Sequence, residues 1–498
     1  MNVVRDLASR VGPIVGSASA CQGIDQGRVQ AIVDKFREVI REASTGGSDR
    51  DELTRLFNGY VADGRNRVGA SQTDCTTAVR QLAELERSLG QAPPSQGASN
   101  LAAAIGSTSA AAAVAPAVTA ALPLGNVQGV TSTEIRFGMC GPFSGASKEL
   151  GRQMKLGIDA AFNRANDAGG IGGRMLRLFA ADDGYEPSRT LEAMRQLYER
   201  DRVFGFIGNV GTPTSAISMP YALQHQTLFF GGFTGANLLR NDPPDRYVFN
   251  YRASYSEETD AVVRYLVKMR RLQPQQIVVF AQQDSYGDSG FAGVAKAFRS
   301  LGMSDSAVVR LGYKRNTVDV DEAVAQLKAI KAPVRAVVMV ATYRAAAKFI
   351  ERTREVYPNL IYSNVSFVGS TELAEELMLL GPRYANGVIV TQVVPAVGGY
   401  SSAVLEYKNA LEKYFPGESL SYVSLEGYIS ANVLIQALRR VGPQLDTEAL
   451  IDTLEGMRDV DLGLGTKLGF GRAEHQASHK IWGTAIDERG KFQAIELE

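Results

Sequence analysis

Apolar residues recur along this chain with two different periods. From residue 24 to about 90, Val29, Ile32, Val33, Phe36, Val39 and Ile40 fall three or four apart, and so do Val79, Leu82 and Leu85. That spacing places them on one helical face and predicts a small helical domain over residues 1–90. From Thr133 onward the pattern changes to short apolar runs separated by helical stretches. A strand is predicted over 134–140, followed by a helix whose buried face carries Leu150, Met154, Ile158, Ala161 and Ala165 and which ends at Gly169-Gly170. Strands are predicted at 175–181 and 203–207, with Pro187 opening the helix between them. The alternation restarts with strand 277–281 and runs through helix 288–301, strand 308–313, helix 319–330, strand 336–341 and helix 342–355.

Near-continuous apolar strands alternating with helices indicate an α/β fold of doubly wound parallel sheets. There is too much of this pattern for one sheet, so two Rossmann-like lobes are expected over 131–498. The first would comprise 133–254 and 392–467, the second 255–391 and 468–498, with three crossovers. Between the helical domain and the lobes, residues 91–130 carry no charge and are rich in Ala, Pro and Ser. A linker is expected there. A membrane span over 101–124 is the competing reading, disfavoured because large apolar side chains are few. At the N-terminus, Arg5, a thin apolar stretch at 11–15 and Ala18-Ser19-Ala20 imitate a signal peptide, but Pro13 interrupts the apolar part.

Composition excludes more than it identifies. The 498 residues contain 53 Lys+Arg and 53 Asp+Glu, so nothing points to nucleic acid as a partner. Of three cysteines, Cys21 and Cys75 share the helical segment and are expected to form a disulfide, adding roughly 4 kcal/mol in the chain-entropy model and implying an exported protein. Cys140 is expected to be a small apolar side chain at a strand end. His475 and His479 lack accompanying ligands for a metal and are expected in a solvated loop; His225 should end a helix. Gly170-Ile171-Gly172 follows a helix and precedes a strand, the wrong setting for a dinucleotide loop. No Ser/His/Asp or Cys/His set is readable, so neither catalytic residues nor a cofactor are assigned.

Chemistry is better placed in the loops that follow strands. In open α/β sheets ligands bind beyond the carboxyl ends of strands, where helix N-termini favour anions. The Gly211-Thr212-Pro213-Thr214-Ser215 loop occupies such a position, with Thr212 offering a hydroxyl and Thr212 or Thr214 able to cap the helix. A second loop, Gly231-Gly232-Phe233-Thr234-Gly235, follows a strand predicted at 227–230.

A series of motifs then suggests a family. In order, they are Gly141-Pro142-Phe143-Ser144-Gly145, Gly169-Gly170-Ile171-Gly172-Gly173 and Asp182-Asp183-Gly184-Tyr185-Glu186-Pro187. Residues 206–214, Tyr286-Gly287 and Leu425-Glu426-Gly427-Tyr428 follow. In this order over about 360 residues the chain resembles the periplasmic leucine/isoleucine/valine-binding proteins, which are type I periplasmic binding proteins. The resemblance does not reach the first 130 residues. It implies an extracytoplasmic solute-binding protein that closes on an amino acid or related carboxylate or amide and delivers it to the permease of an ABC importer. A membrane-tethered sensory receptor is the alternative, and an enzyme a weaker one. By the same resemblance Thr212, Gly232 and Thr234 would hold a carboxylate, and Tyr286 and Tyr343 would cover the ligand. The family's ammonium partner lies in the loop after a strand that is expected here at Ser366–Gly369, and it aligns with Thr371, one residue before Glu372. Glu372 is therefore the first candidate for that role, although it could instead serve the helix dipole, and Asp284 is the second. Leu150 stands where well-known members carry an aromatic residue.

Overall fold

A computed structural model describes residues 2–21, 24–43, 47–67, Cys75, Leu82 and 127–497. The chain divides into two compact units, Met1–Ala117 and Val118–Glu498. Residues 91–126, with most of the expected linker and the whole 101–124 stretch, lie outside the described residues, as do Val79 and Leu85. Among the described residues no helix is long and apolar enough to cross a membrane.

The first unit contains helices α1 (Asn2–Ala20), α2 (Gln26–Ala43) and α3 (Gly47–Arg67). Its core is built from Val11, Val15 and Ala18 of α1, Val29, Ile32, Phe36 and Ile40 of α2, and Leu53 and Phe57 of α3. The Phe36 and Phe57 rings stack at 4.5 Å between centroids. The 11–15 stretch is therefore part of this core, and α1 continues through Pro13. A side chain at Gly16 would lie 2.1 Å from the Val61 carbonyl oxygen, so α1 and α3 can approach only because Gly16 has none. Cys21 and Cys75 are disulfide-bonded, with Cα atoms 5.5 Å apart.

The second unit opens with β1 (Glu134–Gly141), α4 (Lys148–Asp167), β2 (Met175–Asp182), α5 (Pro187–Arg195), β3 (Gly205–Ile207), α6 (Thr212–Gln224), β4 (Phe229–Phe230) and β5 (Val248–Phe249). These strands form one parallel sheet in the order β2-β1-β3-β4-β5. The chain continues through α7 (Tyr255–Lys268), β6 (Ile277–Gln282), α8 (Ser285–Ser300), β7 (Val309–Tyr313), α9 (Asp321–Ala329), β8 (Ala336–Val340), α10 (Tyr343–Arg354), β9 (Ile361–Asn364), α11 (Ser370–Leu380), α12 (Pro382–Ala385) and β10 (Ile389–Gln392). It then returns to the first lobe for α13 (Ser402–Tyr414) and α14 (Tyr422–Val441), which pack on α4, and α15 (Thr447–Gly456), which packs on α14. An antiparallel pair, β11 (Trp482–Ile486) and β12 (Phe492–Ile495), completes the second sheet, whose order is β12-β11-β10-β9-β8-β6-β7.

The passages between the lobes are bound to one another. The Asn250 amide donates to the His475 carbonyl at 2.7 Å, the Ala477 amide donates back to Asn250, and the Tyr251 hydroxyl donates to Val393 at 2.9 Å. Three expectations need correction here. Residues 468–477 belong with the first lobe, because Phe470 packs edge-on against Phe230 and Phe249. His475 is not solvated: its ring stacks on Phe249 at 3.9 Å and Nδ1 lies 2.9 Å from the Val248 carbonyl. Residues 366–369 are not a strand. The strand is Ile361–Asn364, paired with β8, and a short 3-10 turn at Ser366–Val368 follows it.

Candidate functional site

The order of strands reverses between β1 and β3 in the first sheet, and between β6 and β8 in the second. Loops leaving the carboxyl ends of these strands diverge and leave a crevice, the place where open α/β sheets bind ligands. Thr212 begins α6 at the first reversal; Tyr286 and Tyr343 stand in the first turns of α8 and α10, at the second. Gly211 precedes α6 with φ +103°, and a side chain there would collide with the Tyr185 ring at 2.3 Å.

Thr212 and Thr234 meet directly. Their hydroxyl oxygens are 2.7 Å apart, and both residues are fully buried. The Gly232 carbonyl is already taken by the Thr234 amide at 2.8 Å. The Tyr255 hydroxyl lies beside both threonines without a well-formed hydrogen bond, and the buried Ser215 hydroxyl, one turn into α6, has no partner. Buried polar groups are ordinarily satisfied, so such a concentration at one helix N-terminus is a capacity for further hydrogen bonds. Over this polar floor lies an aromatic box. The Phe367 ring is 4.8 Å from Tyr286, 4.9 Å from Phe233, 6.1 Å from Tyr185 and 6.2 Å from Tyr255.

Tyr343 and Glu372 belong to a neighbouring cavity of about 430 Å³, also lined by Glu149, Gln153, Glu375 and Ser421. The Tyr343 hydroxyl donates to the Ala146 carbonyl at 2.8 Å, across the lobes. Glu372 is 5% exposed; its Oε1 accepts from the Ser421 hydroxyl at 3.0 Å, while Oε2 has no partner. Burial pushes this carboxyl up to about 7, against the opposing hydrogen bonds from its own amide and Ser421. Gln153 Oε1 on the facing lobe is likewise buried and unpartnered. Gly369 links the two clusters: it follows Phe367 by two residues and faces Leu150, Glu372 and Tyr343. Asp284 is committed elsewhere. It caps α8 by accepting from the Tyr286 amide, accepts from Gln282 at 2.7 Å and pairs with Arg315 at 3.2 Å.

Several residues at the site escaped the reading of the sequence. Tyr185 and Phe233 lie inside the glycine-containing motifs at 182–187 and 231–235, whereas Tyr255 and Phe367 carry no local signal. Arg252 is the largest omission. It is buried, pairs with Glu258 at 2.7 Å and Glu426 at 3.5 Å, and bonds to Ser366. Its guanidinium stands 5.5 Å from both the Phe233 and Tyr255 ring centres. Burial raises Glu426 to about 7 despite Arg252. Cys140 is less passive than expected, since its thiol donates to Asp183 at 3.2 Å. His225 caps α6 and packs between Tyr198 and Tyr221. Among the described residues, no group of three or more His, Cys, Asp or Glu side chains is placed to hold a metal.

The family model described as periplasmic binding protein matches residues 134–491. The chain belongs to that family. This periplasmic binding protein is 39% identical to a possible leucine/isoleucine/valine-binding protein from Rhodopirellula baltica, whose crystal structure superposes with a TM-score of 0.70 over 75% of this chain and 98% of that one. An amino acid binding protein from Pseudomonas aeruginosa is 25% identical over 331 residues, 65% of this chain and 83% of that protein. A branched-chain amino acid transporter substrate binding protein from Streptococcus pneumoniae, solved with isoleucine, shares the fold at 17% identity and a TM-score of 0.61 over 73% of this chain and 99% of that one. The type I fold of two parallel-sheet lobes inferred from the motifs is the fold found. The family binds ligands.

Proposed function

We propose that this protein captures a small polar solute outside the cytoplasm, an amino acid or a related carboxylate or amide, and delivers it to the permease of an ABC importer. The observation that carries this reading is the convergence of the Thr212 and Thr234 hydroxyls with the Tyr255 hydroxyl at the N-terminus of α6. A carboxylate there gains charge-assisted hydrogen bonds and a favourable helix dipole. The aromatic box, with Tyr286 and Phe367 from the second lobe, suits the apolar remainder. Glu372, with its free Oε2, is the partner for an ammonium, a charge that would otherwise be buried at a cost of several kcal/mol. Relatives named for leucine, isoleucine and valine binding support the ligand class. Hinge closure, of which periplasmic binding proteins are an established example, would bring both lobes onto one ligand.

The test is a thermal-shift screen of amino acids, small amides and carboxylates, followed by calorimetry on the hits, since a ligand that binds only the folded state raises its stability. A hit whose affinity is unchanged in Thr212→Ala removes the α6 site from the proposal.

A further inference from the structure

The motif at residues 182–187 contributes nothing to the polar floor of the cleft, yet the second lobe grips it closely. Asn316, in the loop after β7, donates through Nδ2 to the Glu186 carboxylate at 2.7 Å and to the Gly184 carbonyl at 3.0 Å. Arg315 pairs with Glu186 at 2.8 Å while holding Asp284 of its own lobe at 3.2 Å. Behind them the Gln282 amide donates to the buried Tyr185 hydroxyl at 3.2 Å. Both partners present strained backbone at this contact: Tyr185 has φ +61° and Asn316 φ +59°, left-handed conformations that side-chain-bearing residues rarely adopt. Backbone strain of this kind persists only where the surroundings enforce it, and it concentrates at clamps and switches.

We propose that the 184–186 and 315–316 loops are a latch that holds the two lobes together whether or not a ligand lies between them. All of its bonds are protein to protein, and none involves the hydroxyl cluster at Thr212. A latch made alike in the empty and the filled protein stabilises both closed forms equally. It therefore slows entry and exit together and sets how long the cleft stays shut, leaving affinity to the contacts around Thr212 and Glu372. The inference rests on the hinge-closing reading above, but its test requires no ligand.

Spin labels at Arg177→Cys and Val356→Cys, exposed positions on the first and second lobe, report the distance between lobes; the native Cys140 is buried. Pulsed dipolar spectroscopy on the full chain after exhaustive dialysis should show a dominant short-distance population. Combining Arg315→Ala with Asn316→Gly, which removes the side chain but tolerates the backbone angle, should raise the longer-distance population about tenfold. Arg299→Ala removes an ion pair within the second lobe, to Asp305, and should change nothing. Two separated populations unaltered by the double variant would overturn the latch while preserving the hinge. A single fixed distance in every variant would overturn the latch and the hinge-closing reading together. An equal shift in Arg299→Ala would mark the effect as nonspecific and also overturn it.

Discussion

Replacing Glu372 by Gln should strengthen the ligand-free fold while weakening its grip on any ammonium-bearing ligand. The carboxyl is buried, one oxygen is unpaired, and its pKa is raised from 4.5 to about 7. That shift disfavours the ionised form in the folded protein by about 3 kcal/mol. The folded state keeps this proton to higher pH than the unfolded chain does, so stability falls as pH rises from about 4.5 to about 7, then stays reduced above that. Glutamine carries no such penalty and can still accept from Ser421. Relative to wild type, Glu372→Gln should therefore gain about 3 kcal/mol between pH 4 and pH 8. Glu426, whose pKa burial also raises, is present in both proteins and cancels. Urea unfolding followed by fluorescence reads this directly, because Trp482, the chain's one tryptophan, lies in the same lobe as Glu372. Parallel stability–pH curves for the two proteins would refute the buried, uncompensated carboxylate. If the curves diverge but an amino acid binds both proteins equally, Glu372 is not the ammonium partner.

Thr212→Ala should weaken a carboxylate ligand by about 1–3 kcal/mol in calorimetry, because it removes a hydrogen bond to a charged group. Arg252→Met should cost about 3–5 kcal/mol in chemical unfolding by leaving Glu258 and Glu426 unpaired in the interior; a loss below about 1 kcal/mol would contradict that role. Reducing the Cys21–Cys75 bond, which closes a loop of 54 residues, should destabilise the first unit by about 4 kcal/mol and leave Trp482 fluorescence unfolding unchanged.

The sheets were legible because their strands are buried on both faces and read as apolar runs, as 277–281 and 336–341 do. Thr212 stands out as a candidate for a different reason: Gly211 marks a sharp turn beyond a strand and a helix starts just after it, whereas Thr234 is pointed to only by the family resemblance. Phe367 could not be found in this way. It sits in a turn whose residues look like a strand, and only the pairing of Ile361–Asn364 with β8 shows otherwise. Arg252 gave no signal because its partners, Glu258, Ser366 and Glu426, are brought to it from three separate segments. His475 reads as solvated because its neighbours are polar in sequence while Phe249, on which it stacks, is more than two hundred positions away. Spacing along the chain reports periodic packing, and these contacts are not periodic.

The return of the chain to the first lobe has a consequence for biosynthesis. The face of α4 at Met154 and Gly157 is covered by α14, which begins at Tyr422, roughly 270 residues further along, and the two helices approach so closely that a side chain at Gly157 or Gly427 would collide with the facing backbone. At about 5–20 residues per second, a ribosome takes roughly 15–55 seconds to supply that cover. The second sheet waits longer still, since its β11–β12 edge is made from Trp482–Ile486 and Phe492–Ile495. The first lobe cannot be completed before α14 has been made, nor the second sheet before Ile495, and the nascent protein exposes the uncovered face of α4 throughout the interval. Whatever keeps that face from aggregating must act for tens of seconds before the native fold becomes available.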